Sequence, residues 1–151
     1  MDADFYRYRQ KGTQMGDYSV KETSYGTIKI GTYAIGALIV KIVDSFHGQI
    51  HLSNKKGRMV AWMNRISDSA DIDNMEISFD AQGRLDIVVY VIIRFGQSIS
   101  RLTNELLDQI EEQTTLLTGS QPHSLSVVVT GMLSKNIARR HIEVSRYHED
   151  S

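Results

Sequence analysis

Two histidines and an aspartate in the first half of the chain have the residue types and the spacing of a candidate metal site. Asp44, His47 and His51 would lie on one side of a continuous helix, and carboxylate and imidazole groups both bind zinc. Gly48 argues against a continuous helix, and a change of structure is expected near Ile50. We therefore interpret both histidines as helix-end and loop residues, and we predict no metal and no other cofactor.

The other patterns that could support catalysis are incomplete. Asp68, Asp71 and Asp73 resemble a calcium loop, but the glycine and the closing glutamate of an EF-hand are missing. No serine lies in a Gly-x-Ser-x-Gly motif, and the chain contains no cysteine that could act as a nucleophile. We therefore expect no enzymatic activity. A cleft that gathers His47, His51 and an acid within hydrogen-bonding distance would favour an enzyme instead.

The most basic part of the chain is segment 55–65, which also contains a tryptophan. Its candidate surface patch consists of Lys55, Lys56, Arg58, Trp62 and Arg65. Four cations would contact phosphates with modest, salt-sensitive affinity, and the apolar residues of this segment have the spacing of one helical face. Packing of a loop or short helix on the domain is therefore the first interpretation. A membrane surface, a protein partner and nucleic acid are the alternatives.

The composition indicates one globular domain without an overall electrostatic field. The chain has 151 residues, with 17 basic and 18 acidic side chains and a net charge of -1. Such a balance gives no general attraction to nucleic acid or to an anionic membrane, so any such contact must be local. The acidic start is unlike a secretory signal, and the apolar stretch 30–40 is far shorter than the roughly 18 residues of a membrane span. We expect a cytoplasmic protein without direct membrane insertion.

Hydrophobic periodicity predicts an α+β fold. Alternation of polar and apolar residues indicates strands, and apolar residues at helical spacing indicate helices. The predicted order is a strand at 27–30, a helix at 33–46, a short strand or helix at 50–52, a hairpin of 75–79 and 85–95, a helix at 99–117 and a strand at 125–133. This order predicts a two-layer domain, a mixed sheet of about four strands with two main helices on one face. We expect residues 1–24 to form a flexible N-terminal arm, 25–133 the domain, and 134–151 a charged C-terminal tail.

The second face of the predicted sheet has no helix to cover it. Its apolar residues form the candidate interface: Val88, Tyr90, Ile92, Val128 and Met132. Exposed apolar patches of this kind usually mark an interface. We predict either self-association through this face, which would give a homo-oligomer, or a cover made by the N-terminal arm and the C-terminal tail.

Several segments in a fixed order resemble a known family. They are Tyr25-Gly26-Thr27-Ile28-Lys29-Ile30, the apolar helix that ends at Gly48-Gln49-Ile50, the strand 85–95 running into Gly96-Gln97-Ser98-Ile99, and Leu117-Thr118-Gly119 leading to 127–132. In this combination the chain resembles, over residues 25–133, the alkaline shock protein family. Members of that family are envelope stress-response proteins of Gram-positive bacteria.

The resemblance implies a small α+β protein without catalytic residues, peripheral at the inner face of the cell membrane. It implies a role in envelope stress or homeostasis through self-association and docking to a membrane-anchored protein partner. The step Gly48-Gln49-Ile50 differs from the glycine-valine step that is usual in the family, and the middle segment is unusually rich in Met and Trp, so the partner stays open. The alternative function is a nucleic-acid-binding α+β module that uses segment 55–65, although the charge balance argues against nucleic acid.

Overall fold

The computed structural model describes residues 5–9, 18–24, 26–59, 75–134 and 137–148 of the chain. These residues form eight strands and two helices. In chain order they are β1 (Phe5–Arg9), β2 (Tyr18–Thr23), β3 (Gly26–Gly31), α1 (Thr32–Asp44), β4 (Ile50–Leu52), β5 (Met75–Phe79), β6 (Leu85–Arg94), α2 (Ile99–Thr118), β7 (Ser124–Leu133) and β8 (Ile137–Tyr147).

A five-stranded mixed sheet organises the larger part of the described fold. Its order is β4-β6-β7-β8, and β5 pairs with the first half of β6 while β4 pairs with the second half. Strands β6 and β7 are parallel, as their connection through α2 allows, and the other pairs are antiparallel. The predicted α+β two-layer fold with a mixed sheet is thus confirmed, with five strands instead of about four.

The hydrophobic core lies between this sheet and the two helices. Alternate residues of β6, such as Val89 and Val91, are fully buried, and they belong to one cluster with Ile39 of α1 and Leu106 of α2. The alternation follows from the period of two along a strand, which directs every second side chain to the helix layer. We call the side of the sheet that faces the helices the core face, and the opposite side the second face.

Helix α2 begins and ends close to the predicted positions. The N–H of Arg101 donates to Oγ of Ser98 over 3.3 Å, which caps the first turn, and Gly119 adopts a left-handed φ of 85° after the last turn. Helix α1 ends at Asp44, before the predicted limit. Among the described residues, no helix combines the length and the apolar composition needed to cross a membrane.

Both termini contain strands that periodicity did not predict. Within the predicted flexible arm 1–24, β1 and β2 pair with each other, and β2 pairs with β3 in a separate three-stranded sheet. Within the predicted tail 134–151, residues 137–147 form β8, which pairs with β7 along its length. Residues 137–147 are therefore a strand and not a tail. The five-stranded sheet contains β8 and the short β4, whereas the predicted strand 27–30, which is β3, belongs to the separate sheet.

A register shift in β7 changes the face on which one predicted interface residue lies. Val91 pairs with Val129, but Ile92 pairs with Gly131, so Thr130 is the extra residue of a β-bulge. Because a bulge reverses the alternation that follows it, Met132 packs against the core cluster. The prediction that Met132 belongs to the second face was wrong for this reason.

Candidate functional site

The helix layer carries an open apolar groove on its outer surface, between α1 and α2. The groove has a volume of about 520 Å³ and is lined by Ala34, Ala37, Leu38, Lys41, Gln113, Leu116 and Leu117. Leu116 is 73% exposed and Leu117 is 38% exposed, and both project from the last turns of α2. We call this surface the helix groove. It is where α1 and α2 together expose apolar side chains.

The sequence of α1 explains why this surface is apolar. The helix buries one stripe that includes Ile35, Ile39 and Val43, and the opposite stripe consists of residues that are half-buried or exposed. A surface helix ordinarily has polar residues on that opposite stripe, but here it carries alanines and Leu38. Apolar residues at helical spacing predict this helix, but they do not show which of them face outward, so the sequence did not reveal the groove.

Charged side chains lie in the helix groove and in the concavity beside it. Lys41 lines the groove, and Glu112 lies beside Leu116 in a neighbouring concavity. Neither side chain forms an ion pair with another described residue. By contrast, Arg146 of β8 is 2.6 Å from Asp108 Oδ1 and ties the last strand to the outer surface of α2. Lys41 and Glu112 are therefore available for charges on a partner.

The second face of the sheet is much less open than predicted. Ile92 is fully buried and Val128 is 4% exposed, while Val88 and Tyr90 are half-buried. Of the five predicted interface residues, two are therefore inaccessible to a partner and Met132 lies on the other side. Val88 and Tyr90 alone remain as partly exposed apolar residues from that set.

Part of the cover of the second face comes from residues 53–59, which we call the 53–59 hairpin. Ser53 and Met59 form an antiparallel bridge, and the Oγ of Ser53 lies 2.6 Å from Oγ1 of Thr130 in the bulge of β7. Gly57 has a left-handed φ of 80°, and an added Cβ would be 3.2 Å from the carbonyl oxygen of Thr130. The glycine thus allows the hairpin to approach the sheet closely.

The basic candidate patch is divided by this arrangement. Lys55, Lys56 and Arg58 belong to the 53–59 hairpin, so the described beginning of the segment is a turn and not a helix. Lys55 forms an ion pair with Glu76, while Lys56 and Arg58 are exposed. Trp62 and Arg65 lie outside the described residues, as do the candidate calcium ligands at 68, 71 and 73.

The pKa of Tyr90 is shifted by burial and by the charges beside the 53–59 hairpin. Burial raises the pKa of its phenol above the ordinary value, and the carboxylate of Glu76 raises it further, while the ammonium of Lys55 acts in the opposite direction. The Nζ of Lys55 lies 6.0 Å from the centre of the Tyr90 ring. The three side chains therefore form a connected polar group between β5, β6 and the hairpin.

The residues that could bind a metal are not those singled out by spacing. Helix α1 ends at Asp44, His47 occupies a turn with a φ of 54°, and His51 lies on β4, so the three are not brought together. Within the described ranges, the group close enough to hold a metal ion is Asp80, Asp86 and His123.

Hydrogen bonds within the chain already occupy most of this group. Asp86 Oδ1 lies 3.0 Å from Nδ1 of His123, and Ser124 Oγ donates to the same oxygen over 2.6 Å. The serine hydroxyl therefore donates to the carboxylate and not to the histidine. In a catalytic serine, the hydroxyl would instead donate to the histidine that acts as its base, so this arrangement is not that of an activated nucleophile. We interpret Asp86 as an acceptor that aligns the start of β7 with β6.

Asp80 is held by the turn between β5 and β6. Its carboxylate accepts from the backbone N–H groups of Gln82 and Arg84 and from Nε of Arg84. Burial alone would raise the pKa of Asp80, but the hydrogen bonds and the charge of Arg84 outweigh it and lower that pKa. The acid therefore stabilises the turn as a carboxylate.

Comparison of the chain with protein-family models, with curated proteins and with solved structures finds no match.

Proposed function

We propose that the protein is a non-enzymatic protein of the cell envelope, of the alkaline shock type, that acts by self-association and by docking to a membrane-anchored partner. The observation that supports action through protein contacts is the exposed helix groove with Leu116 and Leu117 at its rim. Exposed apolar surface of this kind is typical of interaction sites. We further propose a cytoplasmic location, peripheral at the inner face of the membrane, as the resemblance implies.

The first occupant that we propose for the helix groove is a second copy of the chain. Leu116 projects at one side of the groove, and Ala34 and Ala37 line the other side with small side chains. A two-fold axis repeats the same surface on both partners, so it can set the projecting leucine of each copy on the alanines of the other. A second copy could therefore fill the helix groove with its own projecting leucine.

The charges at the groove support the same occupant. Lys41 belongs to α1 and Glu112 to α2, and each is without an ion pair among the described residues. A two-fold arrangement that sets α2 of one copy on α1 of the other brings each lysine towards the glutamate of the partner. Charge complementarity of this kind favours one orientation over others.

This proposal moves the self-association surface from the second sheet face to the helix layer. Ile92 and Val128 are buried within the chain, so the area that a partner could bury on the second face is small. The variants Leu116→Glu and Val88→Asp distinguish the two surfaces, because each places a carboxylate in one of them.

Size-exclusion chromatography with light scattering tests the proposal. We expect the unmodified chain to be dimeric at micromolar concentration and Leu116→Glu to be monomeric. Burial of a leucine contributes about 1.5–3 kcal/mol, and a two-fold interface loses two of them, so dimerisation should weaken by at least about a hundredfold. Tyr147→Glu is the matched control, because Tyr147 is 71% exposed but lies on β8. A monomeric unmodified chain, or an unchanged Leu116→Glu dimer, would refute the groove as the dimer surface.

Fractionation of cells that produce the chain tests the envelope part of the proposal separately. We expect the protein to sediment with membranes and to be released by alkaline carbonate, which removes proteins that are held by partners or by the surface. An entirely soluble distribution would contradict the envelope role while leaving the dimer unaffected.

The alternative, a nucleic-acid-binding module that uses segment 55–65, retains less support. Lys55 forms an ion pair with Glu76. In the described part of this patch, Lys56 and Arg58 are exposed and form no ion pair with another described residue. Two cations give little phosphate affinity on their own. An absence of binding to a single-stranded oligonucleotide at about 50 mM salt would exclude this alternative.

A further inference from the structure

Exposed cations gather at one end of the five-stranded sheet. They are Lys56, Arg58, Arg94, Arg139 and Arg140, and we call this set the cationic end. None of these side chains forms an ion pair with a residue in the described ranges. The contact that involves them is a hydrogen bond within the set, in which Arg140 Nη1 donates to the carbonyl oxygen of Arg139 over 2.9 Å.

The sheet register brings Arg94 of β6 and Arg139 of β8 to the same end of the sheet. Arg94 at the end of β6 pairs with Leu133 of β7, which pairs with Ile137 of β8. Two residues back along these strands, Gly131 of β7 pairs with Arg139. Arg94 and Arg139 are therefore two strand spacings apart across the sheet and two residues apart along it, about 12 Å between backbones.

The 53–59 hairpin adds its two cations to the same region. Gly57 lies against Thr130, and Thr130 neighbours the irregular part of β8 that contains residues 140 and 141. Lys56 and Arg58 flank that glycine, so their backbones lie within about 10 Å of β8. Contacts between segments far apart in the sequence thus build a surface that no single segment contains.

Exposed apolar side chains accompany these cations. Phe95 is 69% exposed and follows Arg94, and its backbone N–H donates to the carbonyl oxygen of Leu133 over 2.7 Å. Ile137, next to Leu133 in the register, is 36% exposed. The nearest acid on β8 is Glu143, which accepts a hydrogen bond from Ser145, and the first turn of α2 carries no acid.

We propose that the cationic end binds the surface of an anionic lipid bilayer directly, with Phe95 and Ile137 entering the headgroup region. Cations beside an exposed aromatic and an aliphatic side chain match the chemistry of that interface, where charge attraction and apolar burial act together. Single-stranded nucleic acid is ordinarily bound by several stacking aromatics, whereas Phe95 is the aromatic at this end among the described residues. The inference uses a different surface from the helix groove and holds whether or not the chain dimerises.

Co-sedimentation with vesicles tests the inference on the full chain. The probes are vesicles of phosphatidylcholine alone and vesicles that contain about one third phosphatidylglycerol. We expect binding to the anionic vesicles that disappears near 1 M salt, where screening extends only about 3 Å, and no binding to the neutral vesicles. Equal binding to both vesicles, binding to neither, or tighter binding to a single-stranded oligonucleotide than to anionic vesicles would overturn the proposal.

Matched variants locate the contact. Each of Arg139→Gln and Arg140→Gln should weaken vesicle binding about fivefold, and the double variant about 25-fold, from the usual contribution of one cation at an anionic surface. Arg146→Gln is the control, because Arg146 lies on the same strand but pairs with α2. Phe95→Ser should also weaken binding, while Tyr147→Ser should not. Circular dichroism of each variant checks that the fold is retained. If the arginine and Phe95 variants lose no more vesicle binding than the controls at Arg146 and Tyr147, the site is refuted.

Discussion

Replacement of Gly57 by alanine tests whether the 53–59 hairpin closes the second face as the structure describes. Gly57 and Gly48 have nearly the same left-handed φ, 80° and 81°, but their surroundings differ. An added Cβ at Gly57 would be 3.2 Å from the carbonyl oxygen of Thr130, whereas at Gly48 it would have no neighbour within 4 Å. Gly48→Ala therefore measures the backbone strain alone, and Gly57→Ala measures the strain together with the contact.

The expected magnitudes follow from these two terms. A left-handed conformation of a residue with a Cβ costs about 1–2 kcal/mol, which is the expected loss of unfolding free energy for Gly48→Ala. Insertion of a methyl group against a packed backbone adds about 1–3 kcal/mol, so Gly57→Ala should lose about 2–5 kcal/mol. Urea unfolding followed by circular dichroism measures both variants, and equal slopes against urea would allow direct comparison.

Hydrogen exchange shows which part of the protein is loosened by the contact between the added methyl group and Thr130. In Gly57→Ala we expect faster exchange of backbone amides in the hairpin and around Thr130, and no such change in Gly48→Ala. Equal losses of stability in the two variants, with unchanged exchange near Thr130, would refute the close contact between the hairpin and Thr130.

Two further predictions concern charged groups. Because the pKa of Asp80 is lowered in the folded state, its carboxylate stabilises the protein at neutral pH, and this contribution is lost as the pH falls below about 4. Asp80→Asn should therefore be less stable than the unmodified chain at pH 7, and this difference should shrink as the pH falls below about 4. A difference in urea unfolding that stays constant with pH would contradict this. Lys55→Gln should raise the pKa of Tyr90 further, and Glu76→Gln should lower it, because the ammonium and the carboxylate act in opposite directions. The tyrosinate absorbance, corrected with Tyr90→Phe, measures both shifts, and an unchanged titration would show that the three side chains are not coupled.

The elements with strong local signals were predictable from the sequence. Strand β6 alternates buried residues over its length, and α2 has an apolar stripe with Ser98 before it and Gly119 after it. These signals depend on residues that are close in the chain, so no knowledge of the tertiary fold is needed. Pairing of β6 with its neighbours then follows from the burial of its middle on both faces.

Strand β8 was missed because its signal is weak at the level of sequence. It is an edge strand of the described sheet, and residues 137–141 are all exposed, so charged residues replace the alternating pattern there. Ile142 and Val144 do point towards the core. The next residue on that side of the strand is Arg146, which is charged and pairs with α2, so the apolar alternation stops there. Only the neighbouring strand shows why these residues are extended.

The candidate sites depended on information that a single sequence lacks. The bulge at Thr130 sets the face of Met132, and an apolar helix such as α1 does not reveal which of its apolar side chains face outward. The cationic end joins residues from β6, β8 and the 53–59 hairpin. Periodicity describes one element at a time, so surfaces formed by three elements escape it.

The two-layer architecture also sets the cationic end apart from the helix groove. On α2, Glu105 and Asp108 are paired with Arg101 and Arg146, whereas the side chains of the cationic end form no ion pair with another described residue. An anionic surface attracts unpaired cations within about one Debye length, or about 8 Å in physiological salt, before contact is made. If the cationic end binds an anionic layer, the end of the sheet faces that layer and the helix groove stays uncovered, so both surfaces can be occupied at the same time.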